Sequence, residues 1–135
     1  GGCPMDRTAA RAAAMKLVFE WEMGGNGGED TVFGLLEIPK DDAEIDYVDE
    51  VVEGVKARQA EIDEWIAQFA HGWSLERMNR VDLAILRVAV FEILAGQVPE
   101  PVVVNEAVEL SKQYSTERSP AFINGVLGSI RRARQ

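Results

Sequence analysis

The residues in this chain whose types and spacing could do chemistry are arginines set beside aromatic rings. On a helical wheel with Arg7 at 0°, Arg11 falls at about 40° and Phe19 at about 120°. The apolar stripe Ala10, Ala13, Ala14, Leu17 and Trp21 centres near roughly 300°. Arg7, Arg11 and Phe19 are thereby expected on a face turned away from the core, where a ring beside guanidinium groups offers stacking for an unpaired base and charge for its phosphates. Phe122, near Arg118 and in the first turn of a last helix, offers a second such surface at the positive end of a helix dipole. The competing reading is that Phe19 and Phe122 pack into the core, the commoner fate of Phe at helical spacing, and that the arginines are merely solvated.

Catalysis has little to work with. His71 is the single histidine and lies in a turn beside Gly72, Cys3 is the single cysteine, and no Gly-rich phosphate loop follows a strand pattern. No paired Cys/His ligand set is present, and the acidic run Asp41, Asp42, Glu44, Asp46 lacks the alternating ligands and central Gly of a calcium loop. The expectation is therefore a protein with no enzymatic activity, no cofactor and no metal.

The elements that must position the arginines and rings are helical. The 135 residues, 47% hydrophobic and 27% charged, suit one soluble globular domain. The chain lacks a run of about 18 apolar residues and a signal-peptide pattern, and its one cysteine fits a reducing compartment. Residues 1–6 are expected to be a disordered or appended tail. A first helix ends at Gly24-Gly25, and a short apolar piece from Val32 to Leu36 is stopped by Pro39. Ile45, Val48, Val52, Val55, Ile62, Ile66 and Phe69 mark one long helix or two collinear ones. Ser74 could cap the next segment. From Val81 to Leu94 nearly every position is apolar, so that helix belongs at the centre, with Asp82 and Arg87 paired or capping within it. Another helix spans about Val104 to Tyr114, with Asn105 and Glu106 as cap residues after Pro101. Ser119 as N-cap and Pro120 as first helical residue open the last helix, in which Gly125 would allow close helix approach. No sustained two-residue alternation calls for strands. The fold class is all-α, a single-domain bundle of six to seven helices.

The formal charge of −9 argues against nucleic acid until it is mapped along the chain. Glu29 to Glu64 holds 13 acidic residues against three basic ones, and the remainder is balanced near +1. Local potential governs whether a phosphate can approach a face, so the acidity does not exclude RNA.

In chain order, Val18-Phe19-Glu20-Trp21, Trp73-Ser74-Leu75-Glu76-Arg77, Asp82-Leu83-Ala84-Ile85-Leu86-Arg87, Asn105-Glu106-Ala107-Val108-Glu109-Leu110-Ser111-Lys112 and Phe122-Ile123-Asn124-Gly125-Val126-Leu127 resemble the NusB transcription antitermination factor family over nearly the whole chain. The resemblance implies a NusB-like helical RNA-binding domain over residues 7–135, working in the bacterial cytoplasm. It implies binding to the boxA element of ribosomal-RNA transcripts with a small-subunit ribosomal protein, NusE, in the RNA polymerase antitermination complex. By position, the family's RNA contacts fall on Arg7, Arg11, Phe19, Arg118, Phe122 and Asn124. Known members carry a denser arginine run than Arg7-Thr8-Ala9-Ala10-Arg11, and some are homodimers. The alternatives are a helical protein-binding adaptor or homodimer without RNA, and the RNA-binding fragment of a ribosomal-RNA cytosine methyltransferase. The RNA reading expects the starts of the first and last helices to meet in one cationic groove.

Overall fold

The computed structural model describes residues 5–25 and 41–135, and the expected apolar piece at Val32–Leu36 lies outside them. Six helices follow in order: α1 Arg7–Glu22, α2 Ile45–Ala57, α3 Gln59–Phe69, α4 Arg80–Ala95, α5 Glu100–Tyr114 and α6 Ser119–Arg134. No strand occurs among the described residues.

α4 is the axis of the bundle because its sequence is apolar on every side. Leu83 through Val90 are all buried, and so are Phe91 and Ile93. α1, α2, α3, α5 and α6 all pack against it. Asn79 starts it, its side chain accepting from the Val81 and Asp82 amides at 2.8 and 3.1 Å, while Gly96 ends it at φ +72°, a left-handed conformation that glycine adopts without strain. The cap is thus Asn79, and Ser74 lies in the turns before it.

Residues 42–69 form two helices. Arg58, at φ −111° and ψ 21°, is the joint between α2 and α3, where the apolar spacing has its gap. Gly54 of α2 lies against the Phe91 ring, which occupies the space any Cβ would need. Gly125 has open space beside it, so the close approach expected there belongs to Gly54 instead.

Two expected helix starts move. α5 starts at Glu100, with Pro101 in its first turn, which places Asn105 and Glu106 inside the helix rather than at its cap. α6 includes Ser119, with Arg118 at the capping position. At the other end of the chain, Asp6 caps α1 by accepting from the Ala9 amide at 2.7 Å, and the Met5 amide donates to Asp42 at 3.0 Å. Residues 5 and 6 are therefore part of the fold.

Candidate nucleic-acid interface

α1 runs antiparallel to α4, as its ion pairs show: Arg11 meets Glu92, while Glu22 meets Arg80 and Arg87. It lies between α2 and α4 and is buried on a far wider arc than the alanine stripe, with Met15 and Val18 sealed as well as Ala10, Ala14 and Leu17. That corrects the wheel reading of Arg11. The residue is 5% exposed, and its side chain donates to both Glu92 oxygens, at 2.9 and 3.1 Å. Burial alone would lower the guanidinium's pKa, but the Glu92 hydrogen bond and charge outweigh it and raise it. Tyr47 donates its hydroxyl to the same carboxylate at 2.5 Å. Arg11 belongs to a buried polar cluster and is not displayed to an RNA.

Arg7 is exposed, but it is engaged. Its Nε lies 2.6 Å from Glu44, and its guanidinium stacks 4.1 Å over the Tyr47 ring. Phe19 is half-buried and packs against the core from the half of α1 that runs beside the start of α4.

The start of α6 is different. Arg118 is exposed and, among the described residues, has no carboxylate partner. Phe122 is half-buried, packed on the core on one side and lining a cavity of about 400 Å³ on the other, together with Arg118 and Trp73. Three hydroxyls fix this corner. Thr116 donates to Ser119 at 2.9 Å, Ser119 to Ser115 at 2.9 Å, and Ser115 to the Asp82 carboxylate at 2.6 Å. Donation from Thr116 follows because the Ser119 proton is already directed at Ser115. The relay ties the α5–α6 turn to the first turn of α4, so Arg118 and Phe122 sit on rigid elements. Asn124 is exposed but lies about 200° around α6 from Phe122 and does not line the cavity.

The two helix starts do not meet. Arg7 lies at the C-terminal end of α4, near Glu92, and Arg118 at its N-terminal end, near Asp82; ten residues of helix rise span about 15 Å. A furrow of about 350 Å³, floored by Ala9, Ala12 and Ala13, lies between α1 and α5. Thr8 bonds Glu106 at 3.2 Å near one end of it, and Lys16 lies 4.8 Å over the Tyr114 ring near the other. The furrow joins neither site: Arg7 faces Glu44 and Tyr47 from the other side of α1, and Arg118 lines the Phe122 cavity, so the expected single groove is two separate sites. The sequence reading missed Trp73, whose signal was an aromatic residue in a Gly-containing turn.

A second ionic cluster stabilises the far side. Arg87, 4% exposed, donates to Asp63 at 2.9 and 3.0 Å and to Glu22 at 2.8 Å. The expectation that Asp82 and Arg87 are paired within the bundle holds for both.

A family model described as the NusB family matches residues 8–132. The transcription antitermination protein NusB of Acetivibrio thermocellus is 44% identical over 130 residues, covering 93% of this chain and 88% of that protein. The protein of that name from Paenarthrobacter aurescens is 44% identical over 128 residues, 93% of each chain. Among solved structures, Thermotoga maritima NusB superposes with a TM-score of 0.81 at 32% identity, covering 96% of this chain and 93% of that one. The structure of antitermination factors NusB and NusE in complex with double-stranded RNA includes a chain that superposes with a TM-score of 0.82 at 30% identity, covering 94% and 96%. With the family's motif order, its helical fold and an open cation–aromatic corner at Phe122 all in place, the chain belongs to the NusB family.

Proposed function

We propose that this protein is a non-catalytic transcription antitermination factor of the bacterial cytoplasm. It binds boxA-type single-stranded RNA of ribosomal-RNA transcripts together with the small-subunit ribosomal protein NusE, and the pair acts on RNA polymerase. The observation that carries the reading is the corner at the start of α6, where the unpaired Arg118 guanidinium and the Phe122 ring line one cavity. Free guanidinium charge holds a phosphate, and the ring stacks a base, which is how unpaired RNA is held without a duplex groove. Arg7, exposed on the side of α1 that faces Glu44 and Tyr47, engages the same strand after leaving Glu44. Among the described residues no helix is long and apolar enough to cross a membrane, in keeping with work on a nascent transcript.

The test is fluorescence anisotropy with a labelled 12-nucleotide boxA RNA, with and without NusE. Wild-type protein binds, and Phe122→Ala weakens binding while leaving the helical circular dichroism signal intact. Absence of binding even with NusE present would overturn the reading in favour of a protein-only adaptor.

A further inference from the structure

Trp73 is 54% exposed, a large apolar side chain left in solvent on the wall of the cavity that Phe122 also lines. A ring of that size held open beside a second aromatic residue is poorly explained by packing, because Trp73 contributes little to the core. Two polar groups share the cavity. Asp82 is 6% exposed, and its Oδ1 accepts from Ser115 at 2.6 Å. Its Oδ2 has no partner among the described residues, and no sealed side-chain polar atom there lacks one. Oδ2 is therefore reachable from solvent, and the opening that Asp82 lines is this cavity. Asn79 also lines it; its Oδ1 is committed to the Val81 and Asp82 amides, which turns its amide NH₂ outward.

The cavity thus offers an acceptor at Asp82, a donor at Asn79 and aromatic faces at Trp73 and Phe122. The Watson–Crick edges of adenine and cytosine present an amino donor beside a ring-nitrogen acceptor, the complement of that pair. Uracil presents the reverse at O4 and N3. We infer that the Trp73–Phe122 cavity is a pocket for one unstacked adenine or cytosine of the bound RNA. Trp73 and Phe122 hold its faces, Asp82 accepts from its amino group and Asn79 donates to its ring nitrogen. Arg118, at the rim, takes the adjoining phosphate. This inference rests on the RNA-binding reading above and adds to it a residue, Trp73, and a base preference.

The experiment is an abasic and base-analogue scan of a labelled 12-nucleotide boxA RNA, read by anisotropy with NusE present. One abasic position should cost wild-type protein roughly tenfold in affinity, the usual scale of a stacked base. Trp73→Ala should lose a similar factor on intact RNA and nothing further at that abasic position. Replacing the amino group there with hydrogen, as purine for adenine or 2-pyrimidinone for cytosine, should weaken wild type several-fold and leave Asp82→Ala indifferent. If Asp82→Ala does not fold, the analogue's effect on wild type decides the matter. Wild-type binding with Trp73→Ala equally tight overturns the pocket and leaves the RNA reading standing, as does a preference for uracil at the sensitive position. No binding by wild type overturns both.

Discussion

The Arg11 guanidinium is held by both oxygens of Glu92, a residue 81 positions away, and the Tyr47 hydroxyl completes the carboxylate's coordination. Removing one partner of so enclosed a pair leaves an uncompensated buried charge, which costs about 3–5 kcal/mol. Arg11→Met should therefore lower stability by about that amount in urea unfolding. The paired change Arg11→Met with Glu92→Leu should recover most of it, since a buried ion pair is often replaceable by apolar side chains of similar volume. RNA affinity of the folded Arg11→Met fraction should be unchanged; a selective loss of RNA binding at full stability would return Arg11 to the interface.

That pair shows how far the sequence could be read. The class, the central helix and the lateral helices follow from period and burial, because a segment as nearly all-apolar as Leu83–Ile93 has only one place to go. A charged residue inside that segment was the available sign that Glu92 had a partner. The partner's identity depends on the crossing of α1 over α4, which no local pattern encodes. The same limit explains the separate ends of the interface. A wheel fixes the angle of Arg7 and Phe19 on α1, but the distance between the starts of α1 and α6 depends on which end of α4 each adjoins. Trp73 lies outside any periodic element, so periodicity had nothing to say about it.

The Arg7–Glu44 contact acts as an internal substitute for a phosphate. Arg7 is half exposed and its contact with Glu44 is a surface pair, worth at most about 1 kcal/mol. Glu44→Gln should raise boxA affinity two- to fivefold by releasing the guanidinium and removing a nearby negative charge, whereas Arg7→Ala should lower it by a comparable factor. Anisotropy titrations of both variants at one salt concentration check this. Equal affinities in wild type and both variants would take Arg7 out of the interface.

Glu22 sets an acid limit on the fold. The Arg87 hydrogen bond, with further help from Arg80, holds its carboxyl below the usual value of 4.5 even though burial pushes the other way. A carboxyl depressed in the folded state contributes stability that is present above its unfolded pKa and is lost as pH falls through the folded one. Thermal midpoints between pH 6 and 3 should therefore drop below about pH 4.5, and Glu22→Gln should be less stable near neutrality with a shallower acid decline. Parallel curves for the two proteins would remove Glu22 from the acid response.

The ionic-strength dependence of RNA binding reports how many guanidinium and ammonium groups are free. Among the described residues, Arg7, Arg11, Arg58, Arg80, Arg87, Arg131 and Arg134 pair with carboxylates, as do Lys56 and Lys112. Lys16, Arg77, Arg118 and Arg132 have no carboxylate within salt-bridge distance there. Single-stranded binding loses about 0.7 in the logarithmic salt slope per phosphate neutralised, so these four cations, with Arg7 once it leaves Glu44, limit the slope to about −3.5. Titrations of the protein alone against boxA RNA from low to moderate salt should give a slope no steeper than that, and Arg118→Ala should make it shallower by about 0.7. A slope much steeper than about −3.5 would mean that binding breaks further internal ion pairs besides Arg7–Glu44. Glu44→Gln should leave the slope as steep or steeper, since Arg7 neutralises the same phosphate and no longer has a salt-weakened internal partner to leave.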